Sequence, residues 1–316
     1  MPSKCRFCDK QAAVYLRYAN LRLCKDHFVN FIENRVKGTI EKYKLTNRGD
    51  RILVAVSGGK DSVVLLDILY RLSEVYDLDI HGLTIDLGIH SYSPAYVKVA
   101  NEHYKRLGVE HTIIKVGETY GFTVDDLAAR WRRVCSLCGT IKRYIINRFA
   151  VENGFDSIAT GHNLEDLLYQ GFSSIVLGDL EGLAKVSPKL EGKDKLITRI
   201  RPLAETREKD ILLYAMFKNL KFVKVECPYA RGARSLRLKH ILNMLEEESP
   251  SSKFAFSNSI YKKLGPIVSS FISKENEELR SCSVCGMPSR GVTCSFCKIA
   301  LKANPDYKPK SLKLRL

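Results

Sequence analysis

No apolar stretch among the 316 residues approaches the length of a membrane span, and no signal-peptide pattern opens the chain. A helical membrane protein is thereby excluded, and a cytoplasmic location is expected. Acidic residues are in short supply: 35 Asp and Glu against 51 Lys and Arg leave a net charge of +16. Between Arg130 and Arg148 there is no acid at all, while Arg130, Arg132, Arg133, Lys142, Arg143 and Arg148 all occur. A second basic stretch carries Arg231, Arg234, Arg237 and Lys239, and the tail carries Lys308, Lys310, Lys313 and Arg315. No amphipathic lipid-binding pattern accompanies this charge, so nucleic acid is the expected polyanion. Internal repeats are missing too, and 45% hydrophobic residues suffice for one good core with appendages.

Cysteine, by contrast, is plentiful, and its spacing says metal rather than disulfide. Cys5-x2-Cys8, fifteen residues and then Cys24-x2-His27 supply four ligands. Cys282-x2-Cys285, eight residues and then Cys294-x2-Cys297 supply four more. Each set can close a tetrahedron around Zn²⁺ with no open position, so two structural sites are expected, an N-terminal zinc knuckle and a C-terminal zinc ribbon. Three cysteines remain. Cys135-x2-Cys138 lies in the acid-free stretch, and Cys227 stands far away in Val-Glu-Cys-Pro-Tyr. Three thiolates can hold a [4Fe-4S] cluster by three irons and leave the fourth open. Cys138 and Cys227 could instead form a redox or persulfide pair, helped by arginines that lower thiol pKa. In a third reading Cys135 and Cys138 merely start a helix, which the electropositive surroundings argue against.

Val56 to Ser62 read Val-Ser-Gly-Gly-Lys-Asp-Ser, behind the apolar run Ile52 to Val56 and ahead of Val63 to Leu66. Strand, glycine turn and helix start together build a phosphate cradle: the glycines bring backbone N–H groups against an anion, and the helix N-terminus adds its dipole. Lys60 contributes a mobile charge, and Ser57 and Ser62 contribute hydroxyls. The spacing is not that of a Walker A loop. It resembles the PP-loop of the N-type ATP pyrophosphatases, which split ATP between the α- and β-phosphates and adenylate a substrate. A second motif, Thr160-Gly161-His162-Asn163-Leu164-Glu165-Asp166, joins a strand end to a glycine and to acids opening a helix. Its carboxylates suit a nucleotide–Mg²⁺ site, or simple helix capping, or both at once; His162 reads as structural.

Strands are expected at Arg51–Val56, Ile80–Ile85, His111–Val116 and Ser157–Thr160, alternating with helices at Ser62–Tyr76, Pro94–Leu107, Gly139–Asn153 and Leu164–Val176. An amphipathic helix at Phe28–Leu45 precedes them, and helices at Leu236–Glu247 and Lys253–Ser273 follow. The fold class is therefore α/β, a doubly wound parallel sheet with ligands outside the carboxyl ends of its strands. Ser57, Asp86 and Gly161 should converge there, under a mobile loop at Glu181–Lys195. The expected division is a zinc finger at 1–30, a catalytic domain at 31–235, a helical extension at 236–275, and a zinc ribbon with basic tail at 276–316.

Taken together, the Cys/His knuckle, Ser-Gly-Gly-Lys-Asp-Ser, Cys-x2-Cys-Gly, Thr-Gly-His-Asn-Leu, Glu-Cys-Pro and the C-terminal four-cysteine ribbon resemble the tRNA 2-thiouridine synthetases over essentially the full length. The run Cys135-Ser-Leu-Cys-Gly-Thr-Ile-Lys-Arg-Tyr is closer to the tRNA-5-methyluridine 2-sulfurtransferases, which act at T-loop position 54, than to the branch acting on wobble uridine 34. The resemblance implies an adenine nucleotide α-hydrolase-like fold in which Ala55, Val56, Ser57, Gly59 and Ser62 cradle ATP. It puts Lys60 and Asp61 at the phosphates and Mg²⁺, Ile85 against the adenine, and Gly161 along the nucleotide. Lys142 and Asp166 would be catalytic or ATP-contacting, and Cys135, Cys138 and Cys227 would hold a [4Fe-4S] cluster, with Cys138 and Cys227 central to sulfur transfer. It further implies tRNA as substrate, a ubiquitin-like sulfur-carrier protein as donor, and a homodimer. Where the family usually has Asp-Asp-Glu, this chain has Glu165-Asp166-Leu167, which removes one acid from the motif.

Overall fold

A computed structural model describes residues 4–90, 92–131, 133–230, 234–272 and 279–314. Arg132, Arg231, Ser273 and Arg315, and the side chains of Arg234 and Arg237, lie outside the described part. The chain begins with an antiparallel hairpin, β1 (Val14–Leu16) and β2 (Leu21–Leu23). Helix α1 (Lys25–Lys42) follows and buries Phe28, Ile32, Val36 and Ile40, a four-residue spacing that keeps them on one face. The central domain then alternates: β3 (Arg51–Ala55), α2 (Lys60–Tyr76), β4 (Asp79–Asp86), α3 (Ser93–Leu107), β5 (Glu110–Lys115), the short α4 (Val116–Tyr120) and α5 (Val124–Ala128), α6 (Val134–Glu152), β6 (Ser157–Thr160) and α7 (Leu164–Leu177). Next come α8 (Leu180–Ala184), β7 (Lys189–Leu190), β8 (Thr198–Ile200) and α9 (Glu208–Phe217). Helices α10 (Arg234–Glu248), α11 (Ser252–Ser259) and α12 (Gly265–Ile272) lead to the C-terminal β9 (Arg280–Ser281), β10 (Pro288–Ser289) and α13 (Ser295–Ala303).

The six-stranded sheet runs β5-β4-β3-β6-β8-β7, parallel throughout except for β7. From β3 the chain first winds outward through β4 and β5, then returns to the other side of β3 with β6. That reversal opens a crevice above the carboxyl ends of β3 and β6, the position where such sheets bind ligands. Strand β3 shows why the sheet is covered on both faces. Ile52 and Val54 enter one apolar cluster with α1, α2, α3 and α9, whereas Leu53 enters a second with α6 and the C-terminal module. A third cluster joins Leu164, Leu167 and Leu168 of α7 to Leu183, Leu242 and Ile260.

Three expectations change. The segment Glu181–Lys195 is no open loop: α8 occupies its start, and Lys189 and Leu190 pair with Ile200 and Arg199 as an antiparallel edge strand. A two-residue strand at the rim shields the edge of β8 from pairing elsewhere. Helix α6 begins at Val134 rather than Gly139, because Leu137, Ile141 and Ile145 already form its buried stripe. The helix expected at Lys253–Ser273 is broken into α11 and α12 by a π-helical turn at Ile260–Leu264. Among the described residues no helix is long and apolar enough to cross a membrane.

Candidate active site

At the end of β3 the chain leaves the sheet through Ser57 and Gly58. Gly58 has φ +86°, and a Cβ there would fall 2.3 Å from the Tyr96 carbonyl oxygen. Gly59 caps α2 without a side-chain hydrogen bond, so the first N–H groups of the helix point unclaimed into the crevice. The turn is braced from inside: the Ser57 N–H donates to Ser62 Oγ at 3.0 Å, and Ser62 Oγ donates to the Gly59 carbonyl at 3.0 Å. Ala55 ends β3, and buried Val56 after it donates its N–H to the Leu83 carbonyl at 2.9 Å. Half-buried Ile85 lies near the end of neighbouring β4, and Asp86 beside it accepts the Gly88 N–H at 2.9 Å. Opposite, a Cβ on Gly161 would stand 3.0 Å from the Ser62 nitrogen, so the two loops touch where only hydrogen fits.

Asn163 caps α7 reciprocally with Asp166, which confirms the capping reading of this motif. The same Asn163 donates through Nδ2 to Asp61 Oδ1 at 3.0 Å, tying the two motifs together. Burial raises the Asp61 carboxyl pKa, Lys60 and Asn163 oppose the rise, and Asp166 adds to it, which sets the two acids in one field. A divalent cation between them would relieve that repulsion, so the pair suits Mg²⁺. Lys60 Nζ meets Asp61 at 3.0 Å and Glu208 Oε1 at 2.7 Å. Glu208 Oε2 in turn meets Lys239 Nζ at 3.2 Å, and Lys239 reaches Asp166 Oδ1 at 2.6 Å. Leu167 is fully buried in the third apolar cluster and faces away from this network. Glu165 is likewise buried, and pairs with Lys253 at 2.6 Å.

Cys135 and Cys138 occupy the first turns of α6, with Lys142 one turn further on the same face. Cys227 arrives on a strap from Leu220 to the turn Pro228–Ala230, and backbone atoms hold this strap in place. The Val223 N–H donates to the Gly58 carbonyl at 3.2 Å, and Tyr96 Oη donates to the Val225 carbonyl at 2.7 Å. His103 Nε2 bonds the Lys221 carbonyl at 2.6 Å, Cys135 Sγ donates to the Tyr229 carbonyl at 3.3 Å, and Tyr229 Oη donates to Asp125 at 2.8 Å. Burial pushes the Cys138 thiol up, Lys142 and Arg143 pull it down, and Cys227 and Cys135 add to the rise. The three sulfurs are thus neighbours, yet they form no compact set of the kind that holds one ion. A cubane spreads its thiolates over three irons and needs that wider placement, with cations nearby to offset their charge. In the second motif the exposed His162 ring is held by Thr160 Oγ1 at 2.8 Å. Desolvation, then Arg201, Lys142 and Arg199, push its pKa down against the pull of Asp166.

Some of the acid-free stretch does other work. Arg148 is buried and bonds Glu152 at 2.6 Å, so it is closed to a polyanion. Arg130, Arg133, Lys142 and Arg143 are exposed. Of the residues that the sequence reading passed over, Glu208 at the start of α9 joins the crevice network, while buried Arg201, just after β8, ties the Lys185 and Ser187 carbonyls. The acids of Glu208-Lys209-Asp210 ahead of Ile211-Leu212-Leu213 are a helix-start signal that could have located α9.

Two groups elsewhere bring four ligand atoms within 4.8 Å of one another: Cys5, Cys8, Cys24 and His27, and Cys282, Cys285, Cys294 and Cys297. Backbone N–H groups point at their sulfurs, Phe7 at Cys5 at 3.5 Å and Cys294 at Cys282 at 3.2 Å, which favours thiolates. Closed sets, one of three cysteines with a histidine and one of four cysteines, fit structural Zn²⁺. The ribbon also supports α6, since Phe296 stacks on Tyr144 with ring centroids 3.7 Å apart. Cys297→Ser is therefore expected to lower zinc content by one per chain. It should also lower the melting temperature by roughly 10 °C or more, because metal-linked folding energy is lost; metal analysis and a thermal melt check both.

Residues 30–245 match the family model described as a PP-loop domain, and residues 4–29 match the N-terminal LIM domain of the 2-thiouridine synthetase TtuA. A tRNA-5-methyluridine(54) 2-sulfurtransferase of Pyrococcus horikoshii is 40% identical, over 98% of this chain and 97% of that protein. One of the same name from Thermus thermophilus is 37% identical over 93% of this chain and 90% of that protein. The solved U34-tRNA thiolase NcsA from Methanococcus maripaludis, with its [4Fe-4S] cluster, superposes with a TM-score of 0.80 at 26% identity, covering 96% of this chain and 97% of that one. The chain belongs to the PP-loop family, among its tRNA 2-sulfurtransferase members.

Proposed function

We propose that this protein is an ATP-dependent tRNA 2-sulfurtransferase that replaces the C2 oxygen of a uridine by sulfur. The observation that carries the reading is the strap: one segment touches the nucleotide loop at Gly58 and delivers Cys227 to Cys135 and Cys138. The relatives named for position 54 are 37–40% identical, whereas the structure named for position 34 is 26% identical, which favours the T-loop 5-methyluridine. Ala55, Val56, Ser57, Gly59 and Ser62 would cradle ATP, with Ile85 at the adenine and Gly161 along the nucleotide. Lys60 and Asp61 would meet the phosphates and Mg²⁺.

Uracil O2 is a poor leaving group. In the first step O2 attacks the α-phosphorus, the α–β bond breaks, and pyrophosphate departs with the electron pair. Lys60 and Lys142 stabilise the charge that develops, and Asp166 orients the metal side. In the second step sulfur bonds to C2 and the C2–O bond breaks, releasing AMP. A [4Fe-4S] cluster held by Cys135, Cys138 and Cys227 would supply an open iron for the incoming sulfide. Lys142 lies one turn from Cys138, where its ammonium can serve both steps.

A ubiquitin-like protein with a C-terminal thiocarboxylate is the proposed sulfur donor, by family analogy. A second copy of the chain is the proposed partner for the exposed Val176, Leu177 and Leu180 and for Ile267 and Phe271 on adjoining α12. The cytoplasm is the proposed location. The boundaries 1–30, 31–235, 236–275 and 276–316 are the proposed domain division.

The test is anaerobic purification followed by iron, sulfide and zinc analysis, then ATP-dependent thiolation of unmodified tRNA read by nucleoside mass spectrometry. About four irons, four sulfides and two zincs per chain with 2-thiouridine at position 54 support the reading. Thiolation by protein holding zinc alone would remove the cluster and leave persulfide chemistry on Cys138 and Cys227.

A further inference from the structure

Lys239 belongs to the second basic stretch, yet its ammonium is not spread on the surface. It is largely buried in the crevice, 2.6 Å from Asp166 Oδ1 and 3.2 Å from Glu208 Oε2. The other oxygen of Glu208 lies 2.7 Å from Lys60, the lysine of the nucleotide loop. One carboxylate therefore bridges two ammonium groups through its two oxygens, as a phosphate group does.

Holding α10 against the core does not require Lys239. Glu246 of the same helix pairs with Arg207 at 3.3 Å and with Lys253 at 2.9 Å, and Asn243 accepts from Lys253 at 2.5 Å. A lysine taken out of water where two other cations already anchor the helix is spare for another purpose. The free α2 N-terminus and Lys60 point to the same anion.

We propose that Lys239 is a second polyphosphate-binding residue, and that Glu208 holds its place as a carboxylate substitute for the β- and γ-phosphates until ATP enters. The proposal rests on reading the crevice as an ATP site. When the nucleotide binds, its phosphates take over Lys60 and Lys239 from Glu208, while Asp61 and Asp166 turn to the metal. After the α–β bond breaks, the same two lysines retain pyrophosphate, and Glu208 competes to expel it.

The experiment is equilibrium binding of α,β-methylene ATP, magnesium pyrophosphate and AMP to full-length, zinc-loaded protein. Lys239→Met is expected to weaken the ATP analogue and pyrophosphate by about tenfold or more, the loss of one charge-assisted hydrogen bond, and AMP by less than about twofold. Lys239→Arg should recover most of that loss. Glu208→Gln should tighten the ATP analogue by about fivefold, because a competing charge is removed while the shape stays. Equal loss of AMP and ATP in Lys239→Met would reduce the residue to a structural tie and overturn the proposal. Weaker binding in Glu208→Gln would make Glu208 a metal ligand and overturn it as well. Parent protein that binds none of the three ligands would instead sink the ATP-site reading itself.

Discussion

Cys227→Ser protein makes no 2-thiouridine, yet it binds tRNA within a few fold of the parent and keeps ATP binding and both zincs. The expectation follows from how Cys227 is held. Its strap is fastened by bonds from Gly58, Tyr96 and His103 to strap backbone atoms, and by Tyr229 to Asp125, none of which involves a cysteine sulfur. Serine therefore leaves the strap in place and removes a single soft ligand. Lys142→Ala gives the complementary outcome: iron and sulfide content like the parent's, with thiolation lower by about a thousandfold, the scale of losing a preorganised charge at a reacting centre. Nucleoside mass spectrometry and metal analysis read both variants. Full thiolation by Cys227→Ser would end the assignment of the three cysteines to sulfur delivery.

Gly58→Ala loses ATP-dependent activity by about a hundredfold or more, the penalty of displacing a positioning loop by an ångström. Two independent strains combine there. The backbone is left-handed at φ +86°, and the new methyl would sit 2.3 Å from the carbonyl oxygen of Tyr96. That oxygen belongs to α3, so relief requires moving either the helix or the loop that carries the N–H groups. The expected side effect is a loss of about 1–3 kcal/mol in stability from overpacking. Gly59→Ala is the control: its φ of −79° suits alanine, and its nearest neighbour, Ser57 Oγ, is 3.5 Å away. Its melting temperature should match the parent's, which isolates the steric cost at Gly58.

The nucleotide loop, the cysteine sets and the alternation of strand and helix were legible because each depends on local spacing. The residues of a four-residue knuckle or a glycine turn lie side by side in the chain, so the spacing itself carries the signal. Glu208 was not legible, because its significance comes from Lys60 and Lys239, 148 residues before it and 31 after it in the chain. Arg148 shows the same limit in reverse. As one of six basic residues it read as open surface, but folding places Glu152 one turn away to pair with it and buries the arginine. Leu167 resolves in the same manner: the missing acid in the second motif sits on the core side of α7, so the crevice keeps Asp61, Asp166 and Glu208. The edge strand β7 escaped notice because two paired residues carry no periodicity.

The strap has one more consequence, for how freely its sequence can change. Bonds from outside grip the strap on its own backbone, at Lys221, Val223 and Val225, so its shape is dictated by the residues that grip it. The exposed side chains of Lys224, Val225 and Glu226 are consequently open to replacement or labelling without shifting Cys227. A fluorophore at exposed Val225 would ride between the nucleotide loop and the sulfur chemistry, and would sense whichever of the two moved first.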